Sequence, residues 1–357
     1  MGSPIELVVC DGDETGQELL EQALRVFGSG LLEGRANLQR FDLSLDNRRR
    51  TANRVVHEAA EAMRATGLGL KAATVTPPQV DDVGSPNKIL REGVGGSVIV
   101  RTGRRIAGVA PLAPVVHPIV VVRMAVGDAY GAHEWRSGRP GDPEEQAFRT
   151  EQITRDVCSA VAEYSFQAAA PLGATVYGGP KWTVSTLYEA MLKEEMDVAA
   201  ARHPDVHYRP VLIDASYAGL LTESVDNTLV IPALNRDGDC LSDLVLALYG
   251  SIAGAESVLL ALDDDLHPSV AMAEAPHGTA PSLQGKNVAN PMAMLLACAA
   301  VLDQAETRGY EGAAQDAASL RDATLEVAAE GVRTFDLGGE ASTSEVVDEV
   351  IKRLQSR

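Results

Sequence analysis

An α/β protein is what the sequence predicts, on three observations. Short apolar runs alternate with longer stretches in which apolar residues recur at helical spacing, the pattern of strands and helices in turn rather than of a sandwich or a bundle. The 357 residues suggest roughly two domains at ~150 residues each, and a chain of this length needs no disulfide or metal staple to fold. Hydrophobic residues make up 45%, charged ones 23% and aromatic ones only 4%, so the chain is globular and its core aliphatic.

The run Ile5-Glu6-Leu7-Val8-Val9-Cys10 predicts a strand over 5–10, and helical spacing then predicts helices over 15–27 and 53–65. Aliphatic runs give strands over 70–75, 97–100 and 119–123. The stretch 135–145, rich in Arg, Gly, Pro and acid, reads as a surface excursion. Helical period returns over 150–168 and 185–200, strands are expected over 211–214 and 229–231, and a helix over 241–249. A strand over 257–262 precedes helices over 291–302, 317–329 and 344–354. Asn290-Pro291 reads as an N-cap followed by a proline at the first helical position, and Ser342-Thr343-Ser344-Glu345 as a capped start.

The 31 basic and 50 acidic residues leave a net charge of −19. Without a dense Lys/Arg stripe, such a chain has neither nucleic acid nor an anionic membrane as its main partner, which leaves a small molecule. Cys10, Cys158, Cys240 and Cys298 lie far apart with no CxxC spacing, which indicates neither a zinc site nor a redox motif. The opening Met1-Gly2-Ser3-Pro4 is not a secretory leader and no long uninterrupted apolar run follows, so a cytoplasmic protein is expected.

Four residue groups carry possible chemistry. In Asn235-Arg236-Asp237-Gly238-Asp239-Cys240-Leu241-Ser242-Asp243, Asp239 and Asp243 share one helix face. Their charges repel unless a hard divalent cation such as Mg2+ or Mn2+ bridges them; alternatively Asp239 is an N-cap and Asp243 complements the helix dipole. Arg91, Arg101 and Arg123 near strand ends suit carboxylate recognition or surface ion pairs. Tyr130, within Gly127-Asp128-Ala129-Tyr130-Gly131, and Lys181, after Tyr177-Gly178-Gly179-Pro180, are either general acid–base groups or structural ones. The Gly/Pro-punctuated loop Ala275-Pro276-His277-Gly278-Thr279-Ala280-Pro281, entering a helix at Asn290-Pro291, suits an anion, but no GxGxxG follows the first strand, so a standard Rossmann site is not indicated.

Taken in order, these segments resemble the β-decarboxylating dehydrogenases, the family of isocitrate, homoisocitrate and isopropylmalate dehydrogenases. Asp11-Gly12-Asp13-Glu14-Thr15 is similar to the family's first turn. Phe41-Asp42-Leu43-Ser44-Leu45-Asp46-Asn47-Arg48, Lys71-Ala72-Ala73-Thr74-Val75-Thr76-Pro77, Ser85-Pro86-Asn87, Tyr164-Ser165-Phe166-Gln167 and the motif from Asn235 to Asp243 resemble the homodimeric, eukaryotic-type isocitrate enzymes. His277-Gly278-Thr279-Ala280-Pro281, Ala289-Asn290-Pro291 and Thr334-Phe335-Asp336-Leu337-Gly338-Gly339 resemble the isopropylmalate and bacterial isocitrate branches.

The resemblance implies that family's fold, with residues 1–101 and 251–357 in a large domain, 102–250 in a small one, and a reduced clasp at about 131–172. It implies metal-dependent oxidative decarboxylation of a 3-substituted malate. Asp239 and Asp243, with Asp214 of the other subunit, would hold Mg2+ or Mn2+; Lys181, also in trans, would assist loss of the hydroxyl proton; Tyr130 would protonate the enol. A homodimer with shared sites follows. Arg91, Arg101, Arg123 and Thr183 would meet substrate, and Thr76, Ser85 and Asn87 its third substituent. Lys71, Thr74, Asn87, His277, Gly278, Thr279, Ala280, Ser282, Leu283 and Asn290 would meet the nicotinamide cofactor. Ser282 and Leu283 replace the Arg-His or Lys-Tyr of NADP-using members, and Gly219 and Thr222 lie where a Gln and a Lys would stand in a partner subunit, so NAD is expected. The segment between Thr76 and Ser85 is shorter than in eukaryotic-type enzymes and lacks their basic residues, which leaves room for an isocitrate analogue such as a phosphonomethylmalate. A non-catalytic regulatory paralogue is the alternative, against which stand Tyr130, Lys181 and the three aspartates.

Overall fold

A computed structural model of the chain describes residues 4–31, 35–79, 81–222 and 226–357; Met1-Gly2-Ser3 lies outside them. Strands in chain order are β1 (Ile5–Asp11), β2 (Ala36–Asp42), β3 (Leu68–Lys71), β4 (Gly96–Gly103), β5 (Ile119–Met124), β6 (His133–Ser137), β7 (Gln146–Thr150), β8 (Thr175–Gly178), β9 (Tyr208–Pro210), β10 (Leu229–Ala233), β11 (Glu256–Leu262) and β12 (Pro268–Glu274). Helices are α1 (Glu14–Val26), α2 (Leu45–Thr51), α3 (Arg54–Thr66), α4 (Pro86–Val94), α5 (Arg155–Ala169), α6 (Tyr188–Arg202), α7 (Ile213–Thr222), α8 (Asn235–Leu248), α9 (Met292–Glu306), α10 (Ala313–Ala329) and α11 (Thr343–Gln355).

Ten strands form one sheet in the order β2-β1-β3-β12-β11-β4-β5-β10-β8-β9. Pairing is parallel from β2 to β12, antiparallel through β12-β11-β4-β5, and parallel again from β5 to β9. The fold is therefore mixed α/β, as expected. Strands β3, β5, β8 and β10 are buried along their whole length, because helices cover both faces.

Alternation sorts side chains between those faces. Val120, Val122 and Met124 join a cluster with Val161 of α5 and Leu295 of α9, whereas Ile119 and Val121 meet Leu241 and Val245 of α8. Arg123 follows the second set. Arg101 on β4 opposes Val121, and Arg123 opposes Ile99, so the arginines are diagonal neighbours on the α8 side, roughly 7–8 Å apart at Cα.

Several expectations are corrected. The strand over 211–214 is the approach and first turn of α7, the adjacent strand being β9. The helix over 150–168 starts at Arg155, because 146–150 is β7. The stretch 135–145 belongs to the β6–β7 hairpin, whose strand residues are all exposed and whose Trp135 and Phe148 stack at 5.2 Å. Helix α8 begins at Asn235 rather than 241, so Asp239 lies in its second turn and is no N-cap. Ser342 and Glu345 do form a capping box. Asn290 accepts the Met292 N–H at 3.0 Å, while Pro291 occupies the cap position itself.

Candidate active site

The centre of the site is where α8 starts against β5. Gly238 permits the approach: a Cβ there would lie 2.8 Å from both Cβ and Cγ of Arg123. Asn235, 1% exposed, accepts from Arg123 Nε at 3.0 Å and Nη2 at 2.8 Å, and donates to the Gly127 carbonyl at 3.0 Å. Arg123 Nη1 donates to Asp239 Oδ1. Tyr130 donates its hydroxyl to the other oxygen of Asp239 at 2.9 Å, with its ring 5.5 Å from the Arg123 guanidinium. Arg101 Nη1 donates to Ser242 Oγ at 2.9 Å and Asp243 Oδ1 at 3.1 Å, and lies 3.5 Å from Asp239. Asp128 steadies the Tyr130 turn, accepting the Arg236 N–H at 2.9 Å and the Tyr188 hydroxyl at 3.0 Å.

Electrostatics follow from enclosure. Burial pulls the Arg123 guanidinium down to about 10, with Asp239 opposing. Burial, then the hydrogen bond to Asp239, pushes the Tyr130 phenol above its ordinary value. Arg91 lines a small cavity with Lys88, Tyr130 and Asn235, and has no ion pair or side-chain hydrogen bond among the described residues. Arg101 Nε is buried without a partner. Unspent guanidinium donors beside a phenol suit an incoming carboxylate.

Lys181 and Asp214 form a second group, Nζ to Oδ2 at 2.5 Å. The Lys181 N–H donates to Glu189 at 2.5 Å, and Thr183 is exposed beside it. Hydrogen bonding from Lys181 holds Asp214 below the ordinary carboxylate range. Among the described residues no side-chain hydrogen bond or ion pair joins this pair to Asp239 and Asp243, and no group of three His, Cys, Asp or Glu fit for a metal forms. Asp239 and Asp243, on successive turns, offer the oxygen donors a hard divalent cation takes, and the exposed Asp243 and Asp214 leave access for it.

A cavity of about 550 Å3 opens between the first turn of α1, the 275–291 loop and the start of α9. His277, Gly278, Ala280, Leu283 and Asn290 line it, together with Ile252, Phe335 and Asp336. Thr15 ties the loop to α1, its N–H meeting the Thr279 carbonyl at 3.1 Å and its hydroxyl the Ala280 carbonyl at 2.8 Å. His277 Nδ1 faces the Gly278 carbonyl at 3.0 Å, and burial lowers the ring's pKa below the ordinary imidazole value. His277 Nε2, Thr74 Oγ1 and Asn87 Oδ1 are buried without hydrogen-bond partners among the described residues. Of the three only His277 lines the cavity, where an unspent ring nitrogen suits a ligand with hydrogen-bonding edges.

Other expected residues lie as follows. Ser282 is exposed in the turn Pro281–Leu283. Lys71 is 1% exposed, and its ammonium bonds Glu274 at 3.1 Å and the Ala72 carbonyl at 3.0 Å; the fold does not bring it into the cavity. Thr76 is exposed. Ser85 is the N-cap of α4, yet its hydroxyl makes no capping bond. Sequence does not distinguish Asn235, Asp128 and Ser242 as site residues; the Gly127-Asp128 turn and the start of the Asn235-to-Asp243 motif are the signals it offers.

The model of the family described as isocitrate/isopropylmalate dehydrogenase matches residues 6–350. A 3-isopropylmalate dehydrogenase of Methanothermobacter thermautotrophicus is 28% identical over 98% of this chain and 99% of its own. Catalytic subunit 5 of the mitochondrial NAD isocitrate dehydrogenase of Arabidopsis thaliana is 28% identical over 99% and 89%. The crystal structure of isocitrate dehydrogenase from Methylococcus capsulatus superposes with a TM-score of 0.85 at 20% identity, covering 98% of this chain and 99% of that one. The chain belongs to the isocitrate/isopropylmalate dehydrogenase family.

Proposed function

We propose that the protein is a metal-dependent, NAD-linked oxidative decarboxylase of a 3-substituted malate, working as a homodimer. The observation that carries this reading is the joint placement of Arg101, Arg123 and Tyr130 on the Asp239/Asp243 face of α8.

Asp239 and Asp243 would hold the divalent cation with the partner subunit's Asp214; a bound cation supplies Lewis-acid polarisation of the substrate's C2 oxygen. Arg91, with no ion pair among the described residues, would meet a carboxylate, and Arg101 and Arg123 would do so in place of their contacts to the aspartates. The partner subunit's Lys181 would take the hydroxyl proton; a bound nicotinamide would supply the hydride acceptor. The β-keto acid then loses CO2, and Tyr130 returns a proton to the carbon. Its raised pKa keeps that proton available through neutral pH.

For the third substituent, the free Ser85 hydroxyl at the α4 N-terminus and the unpartnered Asn87 oxygen favour an anionic or polar group such as that of isocitrate or phosphonomethylmalate. NAD is favoured because no Lys or Arg lines the 550 Å3 cavity among the described residues, and its one charged residue is Asp336. The dimer is supported by exposed Val184 and Leu187 after Lys181, and Leu221 on the Asp214 helix. A large domain of 1–101 and 251–357, with 102–250 as the small one, belongs to the same proposal. As to location, no helix among the described residues is long and apolar enough to cross a membrane.

A spectrophotometric screen of isocitrate, homoisocitrate, isopropylmalate and phosphonomethylmalate with NAD and NADP, with and without Mg2+ or Mn2+, tests this reading. Cation-dependent NAD reduction with one of the malates is expected. No reduction with any malate rejects it.

A further inference from the structure

Arg48 is fully enclosed, and none of its donors hydrogen-bonds a carboxylate among the described residues; Asp13 forms only a long ion pair, 3.9 Å from Nη2. Its fork is directed at main-chain carbonyls instead: Nε to Leu43 at 2.9 Å, Nη1 to Gly84 at 3.1 Å and Nη2 to Val75 at 2.5 Å. Val75 and Gly84 each immediately precede a hydroxyl residue, Thr76 and Ser85. One planar guanidinium therefore fixes the separation of the two ends of the segment between them, which a lysine's single ammonium has no geometry to do.

Further anchors come from the same side. Asp13 accepts the Val75 N–H at 2.8 Å and the Leu45 N–H at 2.8 Å. Asn53 Nδ2 donates to the Val83 carbonyl at 2.6 Å. Ala52 and Asn53 both adopt left-handed backbone, φ 48° and 62°, which turns the chain between α2 and α3 so that Arg48 and Asn53 address one segment. Residues 72–85 contain no Lys or Arg of their own, so their cationic clamp comes from outside.

We infer that Arg48, seconded by Asn53, is a positioning residue that sets the spacing of Thr76 and Ser85 and so selects which 3-substituent is accepted. The inference rests on the proposed reading of Thr76, Ser85 and Asn87 as substrate contacts.

Steady-state kinetics of full-length Arg48→Lys and Asn53→Gly, on the two malates turned over best by the parent, test it. Glycine keeps the left-handed backbone at 53. In Arg48→Lys the ratio of kcat/KM between the two malates should shift at least about tenfold, chiefly through KM, with the dinucleotide KM unchanged; Asn53→Gly should shift it the same way by less. Should Arg48→Lys fail to fold, Asn53→Gly decides. Equal losses on both malates and on the dinucleotide, or an unchanged ratio in the folded variants, overturn the inference. Asn87→Ala removes a contact group directly. An unchanged malate KM there rejects the substrate reading, whereas a raised one, with ratios unmoved in Arg48→Lys, rejects the positioning role alone.

Discussion

Tyr130 and Asp239 share one hydrogen bond at 2.9 Å, and the proton on it is the one the proposed reaction consumes. Burial and that bond both favour the protonated phenol, so any loss of activity from its ionisation falls above the ordinary tyrosine range. Tyr130→Phe is expected to lower kcat by about 100-fold or more, with little change in KM, and to remove that alkaline limb from the pH–kcat profile; a variant with parental kcat rejects the role. Gly238 acts on Arg123 through space alone. Its replacement by Ala puts a Cβ 2.8 Å from the Arg123 side chain, forcing α8 away from β5, at a cost of about 1–3 kcal/mol. Chemical denaturation measures that loss, and a raised malate KM should accompany it because Arg123 is displaced. Residues of this kind divide sharply in how legible they are. Asp239, Asp243, Arg101 and Arg123 stand out because charged groups at strand and helix ends are conspicuous. Asn235 and Asp128 do not, because buried side chains serving Arg123 and the Tyr130 turn have the same residue types as ordinary helix starts and turns.

At the scale of elements, hydrophobic pattern reports only what faces a core. Strands β1, β5 and β10 are aliphatic runs buried by helices, and all three are legible. Strand β2 and the β6–β7 hairpin carry exposed, mixed residues, so their pairing leaves no periodic trace. Strand β12 is disguised by Ala and Met, which favour helix, and takes its form from β3 and β11 on either side. Elements are also joined by charge. Glu256 on β11 meets Arg104 at 2.7 Å and lies 3.6 Å from Arg321 of α10, which in turn holds Asp303 of α9 at 2.5 Å. Burial pushes Glu256 up, but the two arginines outweigh it and hold the carboxylate below its ordinary range. A folded-state pKa lower than the unfolded one means the unfolded chain binds the proton first. That share of stability is therefore whole above the ordinary carboxylate value of about 4.3 and is lost as pH falls below it. Glu256→Gln leaves two enclosed arginines short of charge and is expected to cost about 3–5 kcal/mol near neutrality. Urea titrations at descending pH should also show a shallower acid dependence in the variant than in the parent.

At the scale of the whole molecule, the groups the reaction needs are divided. Asp239, Asp243, Tyr130 and the arginines converge on the start of α8, whereas Lys181 and Asp214 bond to each other. On the proposed reading one chain carries two half-sites. In the proposed two-fold dimer each chain's Lys181–Asp214 half would meet the other's α8 half, because an isologous interface repeats every cross-subunit contact. The proposed dimer also reconciles the acidic chain with a multiply anionic substrate: a net charge of −19 repels at long range, while three arginines, a partner lysine and a cation would make the completed cleft locally positive. Subunit complementation tests the division. Lys181→Ala and Asp239→Asn homodimers should each be inactive. In a mixed dimer acting in trans, one site collects both defects and the other collects none. Unfolding and reassembling an equimolar mixture should therefore restore about a quarter of parental activity, since half the dimers are mixed and each has one intact site. If Lys181 instead serves its own chain's aspartates, every site in every dimer carries a defect, and the mixture stays as inactive as its parts.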